Sequence, residues 1–419
     1  MTAPDPHRVA AAVWRIESAK LIAALTRLLR SVELAEEIAQ DAFVEALDAW
    51  RRGGVPDSPG GWLMQAAKHR ALDALRRTRT AERHAGELER QLDPARASSF
   101  DEAPDDLVGD DLLRLMFVAC HPVLSSEARV ALTLRLLGGL TTAEIARAFL
   151  TREATVSQRI TRAKRTLAEQ GVPFELPGAA DLRARVDTVL EVIYLIFNEG
   201  YLATRGDDWM RPSLCADALR LGRILAELMP SDAEVHGLVA LMEMQSSRVR
   251  ARSGPNGEAI LLLDQDRSRW DALLVRRGLD GLARAEALAR GVAGPYLLQA
   301  SIAACHARAA NAAETDWPRI AALYAALMCR APSPIVELNR AVAAGMAFGP
   351  RAGLAIIDPL RDDPTLATYP FLPSVRADFL AKLGRFGEAQ AEAERAAALT
   401  KNERDRALFL ERAASYASR

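Results

Sequence analysis

Cysteine is scarce in this 419-residue sequence: Cys120, Cys215, Cys305 and Cys329 lie far apart and never form CxxC. Neither a disulfide framework nor a zinc knuckle is indicated, and each thiol is expected to be a small buried apolar side chain. Aromatic residues make up only 5% of the chain, and runs rich in Val, Ile and Thr between turn residues are nearly absent. A sheet-based fold therefore lacks its usual material. No run of about 18 uninterrupted apolar residues occurs, and the N-terminus carries no signal-peptide core. The expectation is a cytoplasmic protein that makes no membrane contact. Charge of one sign is also lacking: 54 basic residues against 55 acidic give a formal net charge of −1. The global balance says nothing about nucleic acid, so the local distribution must be read. Paired-histidine, GxSxG and Gly-rich phosphate motifs are missing. In the C-terminal remainder, Glu234, His236 and Glu243 form the only close acid–histidine grouping, so neither an enzyme nor a cofactor is expected.

What is present is alanine and arginine, a helix-forming bias. The length exceeds one core and implies two to four domains, all-α in class. A first helical block spans 8–83, broken at 51–61 by a Gly/Pro cluster that must be a loop. Residues 84–111 form an acidic linker, with Asp101, Glu102, Asp105, Asp106, Asp110 and Asp111 beside Pro94 and Pro104. A second helical block runs over 112–172. Gly171-Val172-Pro173 and Pro177-Gly178 then introduce a helical remainder over 182–419.

In the second block, Thr141-Thr142-Ala143-Glu144 reads as a capping box for a short helix. A break over 150–153 leads to a helix whose Val156, Ile160, Ala163 and Leu167 form an apolar stripe. The opposite side carries Thr155, Ser157, Gln158, Arg159, Thr161, Arg162, Lys164 and Arg165. Hydroxyls and amides near the start can read base edges, and the later cations can neutralise phosphates. Any one of these arginines is also compatible with an ordinary solvated face; the ensemble is a helix-turn-helix pattern. In the first block, Glu33, Glu37, Asp41, Glu45 and Asp48 share one helix face, with Leu34, Ile38, Phe43, Leu47 and Trp50 supplying apolar contacts. A carboxylate stripe repels phosphate and suits water or a basic protein surface. The next helix begins at Trp62 and becomes basic at Lys68, His69, Arg70, Arg76, Arg77 and Arg79, with Asp73 placed to pair with them.

These segments resemble a known family, the extracytoplasmic-function RNA polymerase sigma factors. Residues 35–47 are similar to that family's core-polymerase-binding helix. Trp62-Leu63 through Arg76-Arg77 looks like its W-L-x-x-I-A-x-N-x-x-x-D-x-x-R-R helix, with His69 in place of the usual asparagine. Residues 141–167 look like its promoter-reading module. The resemblance implies that Glu36, Glu37, Gln40, Asp41 and Glu45 dock on core RNA polymerase. It implies that Trp62, Lys68, His69, Arg70, Asp73, Arg76 and Arg77 engage the −10 element of promoter DNA. The −35 element would fall to Thr155, Ser157, Gln158, Arg159, Arg162, Lys164 and Arg165, and the acidic linker would thread toward the polymerase channel.

More than half the chain lies beyond these modules. Residues 379–399 resemble a tetratricopeptide unit, and residues 336–352 resemble a partial copy, with turn glycines expected at Gly345 and Gly384. The stretches 191–201 and 262–271 look like those of the sigma subgroup bearing a tetratricopeptide-like C-terminal domain. There Asp264, Gln265, Asp266, Arg267 and Trp270 are candidates for a polar lock between helices or toward the sigma modules; an ordinary salt-bridged loop is the alternative. The extension is expected to regulate, with a protein or ligand as its partner. The competing reading of the whole is a one-component DNA-binding regulator with a tetratricopeptide-like sensor.

Overall fold

Alanine decides how the first helices meet. In α2 (Val32–Gly53), Ala35, Ala39, Ala42 and Ala46 recur at spacings of 4, 3 and 4 and are fully buried. Such short side chains let helix axes approach closely, and α1 (Pro6–Leu29) answers with buried Ala19, Leu21, Ile22, Ala23 and Leu25. Of the larger residues expected to hold α2, only Ile38 and Trp50 are buried. Phe43 instead meets Trp14 at 4.8 Å between ring centroids. The loop is shorter than the 51–61 cluster implies: residues 51–53 still belong to α2, which Gly54 closes at φ 84, and Pro59, suited to a first helical turn, already opens α3 (Pro59–Ala85). Trp62 at the start of α3 packs edge-on to Trp50 at 5.8 Å.

This computed structural model describes residues 6–85, 105–149, 151–201, 210–254, 260–400 and 403–418. Among them the regular structure is α-helix with short 3-10 turns, in two units covering 1–196 and 197–419. The expected acidic linker is shorter than its composition implies. Residues 105–111 already belong to α4 (Asp105–Ala119), where Asp111 is buried against Arg27 and Arg114. The carboxylates were legible as charge, but their spacing along a helix was overlooked. Asp101 and Glu102 lie outside the described residues. Next come α5 (Ser126–Leu136), α6 (Thr142–Ala148), α7 (Glu153–Glu169) and α8 (Ala179–Tyr201). The unit boundary falls inside α8, between Ile196 and Phe197, and not at the Gly/Pro breaks near 172–182. The first turns of α8 belong with α4 and α5: Arg185 donates to the Phe117 carbonyl and Glu191 pairs with Arg129.

In the second unit, α10 (Ala233–Ser247) is buried nearly all round. It packs on α9 (Pro212–Leu228), α11 (Ala272–Ala289) and α12 (Pro295–Arg308). The Glu234–His236–Glu243 grouping dissolves into separate structural tasks. Glu234 accepts from the Tyr296 and Leu297 amides at the start of α12, His236 meets the Pro230 carbonyl, and Glu243 pairs with Arg223 and Arg277. Three of the four cysteines are buried, but Cys329 is exposed.

Helix hairpins follow: α13 (Trp317–Arg330), α14 (Pro334–Phe348), α15 (Pro350–Ile357), α16 (Phe371–Lys382), α17 (Phe386–Leu399) and α18 (Glu403–Ala417), each packed on its chain neighbour. Gly384 turns at φ 75, as expected. Gly345 does not turn; it sits inside α14, where a Cβ would stand 2.4 Å from the Phe379 ring. The turn glycine of that hairpin is Gly349, at φ 94. Gly349 and Gly384 are 35 positions apart, close to the tetratricopeptide period of about 34.

Candidate nucleic-acid interface

A threonine and a glutamate set the geometry of the second helical block. The Thr141 hydroxyl accepts from the Glu144 amide at 3.1 Å, and Glu144 accepts from the Thr141 amide at 2.8 Å, completing the capping box. Burial alone would raise the Glu144 pKa, but these bonds and Arg15 hold it below the usual carboxylate range. The short α6 ends at Phe149, and α7 begins at Glu153. Val156, Ile160, Ala163 and Leu167 are buried, at the spacing the sequence shows. With that stripe inward, Thr155, Ser157, Gln158, Thr161, Arg162 and Arg165 are exposed and Arg159 is half-buried. Arg165 pairs with Glu169 at 3.3 Å, both side chains being exposed. The first turns of α7 thus offer hydroxyl and amide groups with cations behind them, the composition of a helix that enters a major groove.

The acidic and basic helices of the first block adjoin each other. Glu37, Asp41 and Glu45 are exposed on α2, as are Glu33 and Asp48. Arg70 leans from α3 onto that stripe, 2.9 Å from Glu45 and 3.5 Å from Asp41. The expected −10 and polymerase surfaces therefore share an edge at Arg70. Asp73 pairs with Arg76 at 3.3 Å, and its carbonyl accepts from Arg77 at 3.3 Å. His69, Asp73, Arg76 and Arg77 are exposed, whereas Trp62 and Lys68 are half-buried. The Arg79 side chain lies outside the described residues.

Two of the sequence candidates are not on an open surface. Glu36 is 3% exposed. Its Oε1 lies 2.6 Å from Arg135 Nε, and its other oxygen pairs with Lys164. Lys164, expected to face DNA, is turned to this carboxylate. Gln40 donates to Glu36 at 2.5 Å. Arg135 is not among the residues singled out from the sequence, although α5 carries a signal: it sits between Leu134 and Leu136, with Leu132 and Leu137 close by. A cation in an apolar helix calls for a buried partner.

In the second unit, the 264–270 stretch splits into inward and outward residues. Arg267 donates to the His306 carbonyl at 2.7 Å, the Ala309 carbonyl at 2.5 Å and Thr315 Oγ1 at 3.0 Å. The two carbonyls lie at and just beyond the C-terminus of α12, where helical carbonyls lack intrahelical partners. Trp270 is buried, with the Arg267 and Arg248 guanidiniums 5.2 and 5.7 Å from its ring. Gln265 is buried and donates to the Ile260 carbonyl at 3.2 Å. Asp264 and Asp266 face solvent, and Asp266 caps its own 3-10 turn through Ser268. Burial first, then Arg248 and Arg267, push the His306 pKa down to about 4.

Comparison with known proteins places three matches along the chain. Residues 16–81 match the Sigma-70 region 2 family and residues 114–167 the Sigma-70 region 4 family. Residues 185–286 match a family of unknown function, DUF6596. An uncharacterized protein of Rhizobium meliloti is 42% identical over 380 residues, covering 90% of this chain and 89% of its own. The ECF RNA polymerase sigma factor SigK of Mycobacterium ulcerans is 30% identical over 149 residues, 34% of this chain and 75% of its own. The probable ECF RNA polymerase sigma factor SigI of Mycobacterium tuberculosis is 27% identical over 199 residues, 45% of this chain and 68% of its own. No solved structure matches.

Proposed function

The chain belongs to the extracytoplasmic-function RNA polymerase sigma factors, and from that premise we propose a division of labour among its helices. The exposed carboxylates of α2 (Glu37, Asp41 and Glu45, with Gln40 and Glu36 beside them) dock on a basic surface of core polymerase. On α3, Trp62, Lys68, His69, Arg70, Asp73, Arg76 and Arg77 engage the −10 element, whose bases are read once splayed from the duplex. On α7, Thr155, Ser157, Gln158, Arg159, Arg162, Lys164 and Arg165 read the −35 element in the major groove. The observation that carries this reading is the exposed polar-then-basic face of α7, set by a capped helix-turn-helix behind the acidic α2. The tetratricopeptide-like second unit controls the activity, with the Arg267–Trp270 lock holding its helices in register for a protein or ligand.

Transcript mapping with core polymerase and the purified chain tests this. Distinct start sites are expected that depend on the chain. Arg159→Ala and Arg162→Ala should each weaken −35 duplex binding by about 1–3 kcal/mol, roughly 5- to 150-fold. Start sites unchanged by both variants would remove α7 from promoter reading. A chain ending at Ile196, which keeps the contacts of α8 with α4 and α5, should change promoter output if the second unit regulates; unchanged output would overturn that part.

A further inference from the structure

Residues 260–271 cross the second unit as a loop pinned from beneath. The Ile260 amide donates to the Arg252 carbonyl at 2.8 Å and the Asp271 amide to the Ser247 carbonyl at 2.9 Å, which fixes both ends. Between them Gln265 and Trp270 are buried, and Arg267 is bound to the end of α12. These anchors leave an apolar group of side chains outside. Leu261, Leu263 and Leu273 are 42%, 42% and 53% exposed. Isolated exposed leucines are ordinary surface; several on one short segment that the core holds rigid mark a contact surface. Carboxylates stand among them, since Asp264, Asp266 and Asp271 are all exposed. The Asp264 side chain has no partner among the described residues. Asp266 and Asp271 accept from nearby amides through Oδ1, which leaves each Oδ2 able to accept from elsewhere. On this loop Arg267 is turned inward, so Arg269 is its outward cation against three outward carboxylates.

We propose that the outward face of residues 260–273 is a second docking surface for core RNA polymerase, its leucines entering an apolar recess and its aspartates meeting a basic rim. The acidic helix of the first unit carries the same chemistry: on α2, Val44 is 59% exposed among the exposed Asp41, Glu45 and Asp48. Charge decides between the two partners of a sigma factor. Clustered carboxylates repel promoter phosphates, and they complement the kind of basic protein surface that α2 is proposed to meet. Because the core already holds the loop rigid, little ordering entropy is lost when it binds. The buried Arg267 and Trp270 thereby gain a second task, which is to present the residues on the other side of the loop. The inference rests on the sigma-factor reading for the identity of the partner, and it gives the second unit a direct part in assembling the polymerase complex.

Leu261→Ser with Leu263→Ser in the full-length chain tests it, by equilibrium binding to core polymerase. Affinity should fall about tenfold. Val292→Ser, at a position 66% exposed elsewhere in the unit, should leave it unchanged. Asp264→Lys should slow association by about threefold or more at low salt, and the effect should shrink at high salt. Benzophenone attached at Leu263→Cys, in a background carrying Cys329→Ser so that the other thiols are buried, should crosslink to a polymerase subunit. Should the double variant fail to fold, Asp264→Lys and the crosslink decide alone. Wild-type affinity and association rate in these variants, or crosslinks between copies of the chain without any to polymerase, would overturn the second surface; polymerase binding by the wild-type chain would then leave the sigma reading intact. A wild-type chain that does not bind core polymerase at all would sink the sigma reading and this surface with it.

Discussion

Replacing Arg267 with alanine removes one guanidinium that satisfies three acceptors at once: the His306 and Ala309 carbonyls and the Thr315 hydroxyl. A hydrogen bond from a charged donor contributes about 1.5–3 kcal/mol net. The three share one group and are not additive, and the half-buried side chain is partly screened by water. Its position over the Trp270 ring adds about 1 kcal/mol or less. Together these give an expected loss of about 3 kcal/mol from the second unit. Urea titration followed by hydrogen exchange of the α12 amides reads that unit separately. The exposed neighbour Arg269, changed to alanine, should cost under about 0.5 kcal/mol. A second readout is independent of stability: with one nearby cation gone, the His306 pKa should rise from about 4, as followed by NMR titration. If Arg267→Ala is no more destabilising than Arg269→Ala and leaves His306 unmoved, the lock is not what holds α12.

His306 also sets a pH dependence. Its folded-state pKa of about 4 lies below the ordinary 6.5, so the unfolded chain takes up the proton first as pH falls. Stability fully present above about pH 6.5 should be lost progressively toward pH 4, by about 3 kcal/mol in all; urea midpoints of wild type and His306→Gln across that range measure it. Gly345→Ala would press a Cβ to 2.4 Å from the Phe379 ring and should cost about 1–3 kcal/mol. Gly387→Ala, with nothing within 4 Å of the new Cβ, should be neutral or mildly stabilising, as urea titration of both variants measures. Thr141→Ala removes the α6 cap and should cost about 1 kcal/mol, seen as faster amide exchange in α6.

Local signals carried far in this sequence. The Thr141–Glu144 box and the 4, 3, 4 stripe of α7 are short-range patterns, and local geometry alone realises them. In α2 the size of an apolar side chain does not indicate its burial; alanines, unremarkable in an alanine-rich chain, allow the closer approach. Residues 105–111 were read by charge and not by helical spacing, so the buried Asp111 was missed. Gly345 resembles a turn glycine in sequence because nothing nearby discloses the Phe379 ring that occupies its side. Glu36 lies 99 positions from Arg135, a separation that no periodicity can bridge. In the 264–270 stretch, sequence alone could not say that Arg267 and Trp270 turn inward while Asp264 and Asp266 face water.

In the proposed function, this chain programs core polymerase for promoter-specific initiation through its α2, α3 and α7 surfaces. Core polymerase incubated with the full chain and genomic DNA fragments tests it most directly, with bound chain and transcript 5′ ends measured together. Co-elution of the chain with polymerase and a discrete set of start sites absent from core polymerase alone are expected. Binding to duplex DNA without co-elution, and no new start sites, would contradict it.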